Sequence, residues 1–241
     1  MHRLLVETAL LGEASPALPA EAARHLRVLR PEEGEAFELF DGRGRRRRYA
    51  FAGGALAASA PVEEVARPSG PPLVLFACVT KGSRWDWTVE KATELGVARV
   101  VPVVSARTIV RIPAEARAAK RERWTRVAED AARQSDAMWI PEIDGPVGFS
   151  EALALARETV CFAGALTDPP SPPLLAAVRA RLGASGGRPV SVFVGPEGDF
   201  TPDELAALLS FAAPASFGPT VLRAETAAVF AVSVLAAALR S

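Results

Sequence analysis

From Val190 to Ser233 the chain reads VSVFVGPEGDFTPDELAALLSFAAPASFGPTVLRAETAAVFAVS. Val190 to Val194 is a short apolar run of the kind that forms a strand buried on both faces. Gly195-Pro196-Glu197-Gly198 stops that strand. Thr201-Pro202-Asp203-Glu204 then supplies a helix start, because threonine caps, proline suits the first helical position and Glu204 reaches back to close a capping box. A second turn, Phe217-Gly218-Pro219, leads through Val221-Leu222-Arg223 into a last, alanine-rich helix. Two strand–loop–helix units result, each with a Gly-Pro loop at the carboxyl end of its strand. In open α/β sheets that end is where ligands sit.

The same alternation begins at Leu73. Leu73 to Val79 reads as a buried strand, Trp85 to Leu95 as a helix closed by Gly96, and Val100 to Val104 as the next strand. A charged helix follows over roughly 114–136, then strands at Thr159–Ala163, Val190–Val194 and Ala215–Phe217. The pattern implies a mostly parallel sheet with helices on both faces. Residues 1–68 look different. Short strands such as Phe37–Phe40, with turn signals at Asp41-Gly42 and Gly53-Gly54, suit a small barrel. Pro61 to Pro72 holds four prolines and a glycine and reads as the linker. The expected domains are therefore 1–68 and 73–241.

Charge and residue inventory narrow the chemistry. The formal net charge is zero, so a nucleic-acid partner would have to meet a local patch and not an overall field. Arg43, Arg45, Arg46, Arg47 and Arg48 form one such patch, and Arg27 and Arg30 share a face if their segment is helical. This cluster is either a solvated hairpin tip or an edge where guanidinium forks meet phosphates. His2 and His25 are the only histidines, which argues against a Ser-His-Asp triad or a Cys/His zinc site. Cys78 and Cys161 lie inside apolar runs and read as core thiols. Phosphate-loop and dinucleotide glycine fingerprints are missing. The longest uncharged run, Thr226 to Leu239, is too short to span a bilayer. No metal and no membrane are expected, and the compartment is expected to be the cytoplasm.

The two glycine loops remain. On spacing alone they are either tight turns of an α/β sheet or walls that offer backbone N–H and C=O groups to a planar polar ligand. Glu197, Glu225 and Arg223 add charges beside them. Acid–base work and recognition of a charged cofactor are both open.

The motifs HLRVLR, EGEAFELFDGRG, TKGSRWDWTVEKATELGVARVVPVVSART, AARQSDAMWIPEI, GPEG and FGPTVLRAETA occur in this order. The chain thereby resembles, over nearly its whole length, the RsmE family of SPOUT-class methyltransferases, which modify uridine N3 in 16S ribosomal RNA. The resemblance implies a PUA-like N-terminal barrel, a C-terminal domain closed by a trefoil knot, and a homodimer. It also implies S-adenosylmethionine held by Val194, Gly195, Pro196, Glu197 and Gly198 and by Phe217, Gly218, Val221, Leu222 and Arg223. Thr226 would join them, with Leu166 and Thr167 as a third wall. The partner it implies is 16S ribosomal RNA or the small ribosomal subunit, gripped by Arg27, Arg30 and Arg43 to Arg48. Arg223 would stabilise a developing uridinate, with Glu197 or Glu225 positioning it or taking the proton.

Four positions depart from the family pattern. Asp199 replaces a second glycine, Ala137-Met138 stand near where an arginine is common, Thr220 replaces an arginine and Ala224 a threonine. The lost arginines bear on substrate contacts. Alternative readings are a related methyltransferase acting on another RNA or atom, and a non-catalytic RNA-binding protein of ribosome assembly.

Overall fold

The computed structural model describes residues 1–165, 167, 169–183 and 186–240. They form two compact units, 1–68 together with 129–140, and 69–128 together with 141 onward.

In the smaller unit, β1 (His2–Leu5) lies parallel to β2 (Ala36–Phe40), and β3 (Arg45–Ala52) runs antiparallel to β2. The strands β4 (Ala55–Ala58) and β5 (Glu63–Glu64) both pair with β3, completing a five-stranded mixed sheet. The turn between β2 and β3 is held by Asp41, whose Oδ1 accepts from the N–H groups of Arg43 and Arg45 at 2.8 and 3.0 Å. Helix α1 (Ala20–Leu29) contributes Leu26 to a core shared with Leu4, Phe37, Leu39 and Tyr49.

A charged network lies in this unit. Arg3, 6% exposed, donates from Nε to Glu38 Oε1 at 2.8 Å and from Nη1 to the Ala132 carbonyl at 2.6 Å. Its guanidinium also lies 4.0 Å from the centre of the Phe40 ring. Met138 Sδ and Asp136 stand around the same guanidinium. These contacts explain why 129–140, which the sequence places in the second domain, packs with the first unit.

The larger unit holds β6 (Leu73–Cys78), β7 (Arg99–Val104), β8 (Glu142–Ile143), β9 (Val147–Gly148), β10 (Val160–Gly164), β11 (Val190–Val194) and β12 (Ala213–Ala215). All pairings are parallel, in the order β12-β10-β11-β6-β7-β8, with β9 beside β7. β6 and β11 are buried along their whole length, as two-sided strands must be. On one face, Phe76 stacks on Phe193 at 5.3 Å, beneath α4 (Phe149–Ala156) and α6 (Pro202–Leu209). On the other, α7 (Ala224–Arg240) packs on β6 and β11 and against α2 (Ser83–Glu94) and α5 (Leu174–Leu182). The charged helix is α3 (Arg117–Gln134), preceded by a 3-10 turn at Ala114–Ala116.

Local signals in the sequence match the details. Thr201 Oγ1 accepts from the Glu204 N–H at 3.2 Å and Glu204 Oε2 from the Thr201 N–H at 3.0 Å, so the capping box is formed. Asp199 lies ahead of that cap, not in the helix, with φ of 59°. A glycine takes this left-handed conformation freely, and aspartate is among the few other residues that tolerate it. Cys78 and Cys161 are buried, and burial pushes their thiols up to about 11 and about 12. Both stay protonated at neutral pH and belong to the core.

Candidate active site

Because β10, β11 and β12 are parallel neighbours, the loops after them leave the sheet at one edge. They enclose a cavity of about 350 Å³, within the range of small-ligand sites. Glycines make room at its walls. A Cβ on Gly164, at the end of β10, would stand 2.5 Å from the Phe217 ring. One on Gly195 would stand 3.1 Å from the Phe200 ring, and Gly218 has φ of 128°, which side chains resist.

Most residues expected at the cofactor site line this cavity: Val194, Gly195, Pro196 and Glu197 on one side, Phe217, Gly218, Val221, Leu222 and Arg223 on the other. Three do not. Gly198 turns away, and its carbonyl accepts from Arg107 at 3.0 Å. The Thr167 hydroxyl is engaged with Pro169 and Ser171. Thr226 is exposed beside the cavity, and Ala227, one position on, forms the wall instead. Leu166 lies outside the described residues. Gly164, Ala165, Ala215 and Ser216 also line the space and carried no sequence signal, since their contribution is small size. Asp199, Thr220 and Ala224, three of the positions that depart from the family pattern, line it too.

The charged rim differs from expectation. Arg223 is exposed and makes no ion pair among the described residues. The cation that meets both carboxylates is Arg84, from the first turn of α2. Its guanidinium is 4.0 Å from Glu197 and 3.7 Å from Glu225. Glu225 is mostly buried, at 12% side-chain exposure, and its Oε2 has no hydrogen-bond partner among the described residues. A pair involving a half-exposed arginine contributes at most about 1 kcal/mol to stability. Its effect here is orientation, since one guanidinium meets an acid of the loop after β11, Glu197, and one of the first turn of α7, Glu225.

Residues 68–236 match the family model described as an RNA methyltransferase domain, and 18–53 match an RNA methyltransferase PUA domain. The ribosomal RNA small subunit methyltransferase E of Synechocystis is 30% identical over 246 residues, covering 100% of this chain and 78% of its own. The chain belongs to the RsmE family. Two solved structures agree with this RsmE assignment across the whole fold. A methyltransferase of Legionella pneumophila in complex with S-adenosylmethionine is 31% identical, covers 98% of this chain and 97% of its own, and superposes with a TM-score of 0.79. A ribosomal RNA small subunit methyltransferase E of Neisseria gonorrhoeae, also bound to S-adenosylmethionine, is 27% identical with a TM-score of 0.81, covering 98% and 96%.

The arginines of this RsmE chain's smaller unit separate into two sets. Arg45 pairs with Glu64, and Arg46 with Glu63 and the buried Glu38. Arg47 donates to the carbonyls of Ala60, Leu11 and Glu13 and lies over the Tyr49 ring. Arg27, Arg30, Arg43 and Arg48 are exposed, and their side chains have no partner among the described residues. Arg30 ends α1 in a left-handed conformation, φ 48°, so it leaves the helical face it was expected to share with Arg27. Among the described residues no group of three or more His, Cys, Asp or Glu comes together, and no helix is long and apolar enough to cross a membrane.

Proposed function

We propose that the cavity binds S-adenosylmethionine and that this RsmE-family enzyme methylates N3 of a uridine in 16S ribosomal RNA. The observation that carries the reading is the cavity itself, closed by three loops of the sheet's carboxyl edge and walled by glycine and alanine. Its residues fit the cofactor. Gly164, Gly195 and Gly218 bring backbone close to a planar base, Val194, Leu222 and Ala227 give apolar cover, and the acidic rim suits a sulfonium.

Bound there, the cofactor supplies an electrophilic methyl group. The protein orients the two reactants and stabilises charge as the uridine nitrogen gives up its proton. Arg223, exposed at the cavity wall, faces the incoming base and offsets the uridinate charge. Arg84 holds Glu197, on the cavity wall, and Glu225, at the start of α7, in place, and one of these two carboxylates takes the N3 proton. That nitrogen is engaged in any base pair, so the target is taken unpaired or extruded. Arg27, Arg30, Arg43 and Arg48 supply phosphate contacts. The reading extends to a trefoil knot at the cofactor loops, a homodimer, a cytoplasmic setting and no metal.

The test uses small subunits from a strain lacking the protein, incubated with purified enzyme and methyl-labelled cofactor. Label recovered as 3-methyluridine from 16S RNA is the expected result. Label in another nucleoside would overturn the substrate. No transfer, with cofactor binding intact and a competent control enzyme, would favour the non-catalytic alternative.

A further inference from the structure

On the other side of the first turn of α2 lies a second, smaller cavity of about 70 Å³, between that turn and α3. Two residues of its wall carry buried polar groups that have no partner among the described residues. Trp85 is 1% exposed and its indole Nε1–H meets no acceptor there, and Thr80 is 3% exposed with its Oγ1 likewise unpaired. The other buried hydroxyls behave differently. Thr88 and Thr93 bond to helix carbonyls, Ser105 bonds to Thr108, and Ser191 to Thr159. An unmade buried hydrogen bond costs about 1–3 kcal/mol, and two on one small cavity point to something that accepts from both.

The rest of the lining says what that is. Lys120 and Arg123 reach the cavity from α3. Lys120 has no ion-pair partner among the described residues, while Arg123 is paired with Asp86 at 2.5 Å. Indole, ammonium and guanidinium are donors only, so with Thr80 the wall offers four donor groups against the single carboxylate of Asp86. Gly82, also on the wall, starts α2 without a side-chain cap, unlike the boxed start of α6. The first-turn N–H groups of a helix are themselves anion ligands. The volume equals about two waters at ~30 Å³ each, which excludes a nucleoside and admits a tetrahedral oxyanion.

We infer that this cavity is a phosphate subsite that receives a backbone phosphate of the RNA substrate. The placement supports that source over free phosphate. Residues 84 and 85 are adjacent in α2, and while Trp85 lines this cavity, Arg84 reaches the carboxylates of the cofactor cavity. One turn of helix therefore touches both, and a strand entering the active site passes the second cavity. The inference rests on RNA being the substrate.

The experiment follows the Trp85 indole N–H resonance, assigned by its loss in Trp85→Phe, during titration with a 16S RNA fragment and separately with inorganic phosphate. A saturable shift with RNA is expected. Lys120→Met should weaken RNA binding about tenfold and make its salt dependence shallower by about 0.7, the contribution of one single-strand phosphate. Cofactor affinity should not change. Saturation by inorganic phosphate that RNA does not displace would overturn the RNA assignment. No shift with either, with Lys120→Met binding RNA as the wild type does, would overturn the subsite. A wild-type enzyme that binds the RNA through this cavity but methylates nothing would sink the proposed reaction and leave the subsite standing.

Discussion

The two units use arginine in opposite ways. In the smaller unit a run of five arginines in six residues looks like a binding patch, yet Arg45, Arg46 and Arg47 are committed to carboxylates and carbonyls of their own sheet. In the larger unit the cavity has Arg223 on its wall, with Arg84 reaching its acidic rim. Arg223 has no ion-pair partner among the described residues, and Arg84 is held only loosely by two acids. Charge density along a sequence therefore says little about which cations are available. Pairing and burial decide it.

The largest effect that would sharpen this contrast is at Arg3. Its side chain is 3% exposed and its partner Glu38 is 2% exposed. Removing Arg3 leaves the buried Glu38 with the more distant Arg46, at 3.3 Å, and takes the donor from the Ala132 carbonyl, so Arg3→Ala should destabilise the protein by about 3 kcal/mol in chemical denaturation. A loss under 1 kcal/mol would mean that the network is not structural. Gly164→Ala comes next, on the other side of the comparison. The new Cβ would stand 2.5 Å from the ring of Phe217, which lines the cavity and must shift, and overpacking of about 1–3 kcal/mol predicts roughly tenfold or more loss of cofactor affinity by calorimetry.

A direct contrast within the smaller unit follows. Arg47→Ala should cost about 1–3 kcal/mol of stability, because the Ala60 carbonyl loses its donor and those of Leu11 and Glu13 keep only the Tyr49 hydroxyl. The double variant Arg43→Ala with Arg48→Ala should leave stability within about 0.5 kcal/mol while weakening RNA binding and flattening its salt dependence. The reverse outcome would break the distinction between structural and free arginines. Smallest is Asp199→Gly. It relieves a left-handed residue, worth about 1–2 kcal/mol, but adds chain entropy and loses the bond from the Phe200 N–H to Asp199 Oδ1. Stability in chemical denaturation should move by no more than about 1 kcal/mol in either direction.

Local chemistry was legible in the sequence. The strand Val190–Val194, the capping box at Thr201 and the glycine loops each depend on neighbours in the chain, and each forms as read. What escaped depends on distant neighbours. The packing of 129–140 with the smaller unit turns on Arg3 reaching the Ala132 carbonyl, a contact that no periodicity announces. Arg84 in TKGSRWDW gives no local sign of its partners, because Glu197 lies on the loop after β11 and Glu225 in the first turn of α7, and only the packing of sheet and helices brings both to α2. Gly164, Ala215 and Ala227 serve by leaving space, which a residue list cannot display. Gly198 and Thr226, expected beside the cofactor, do not line the cavity, although their chain neighbours Glu197 and Ala227 do.

The central claim is that the cavity holds the cofactor while Arg223 at its wall acts on the base. Calorimetric cofactor affinity and single-turnover methyl transfer, measured together on Arg223→Ala, test it most directly. The account predicts affinity within about threefold of wild type and transfer reduced by about 100-fold or more, the scale of losing one charge-stabilising donor. Loss of affinity and transfer in parallel would make Arg223 a cofactor ligand, and retained transfer would remove it from the chemistry altogether.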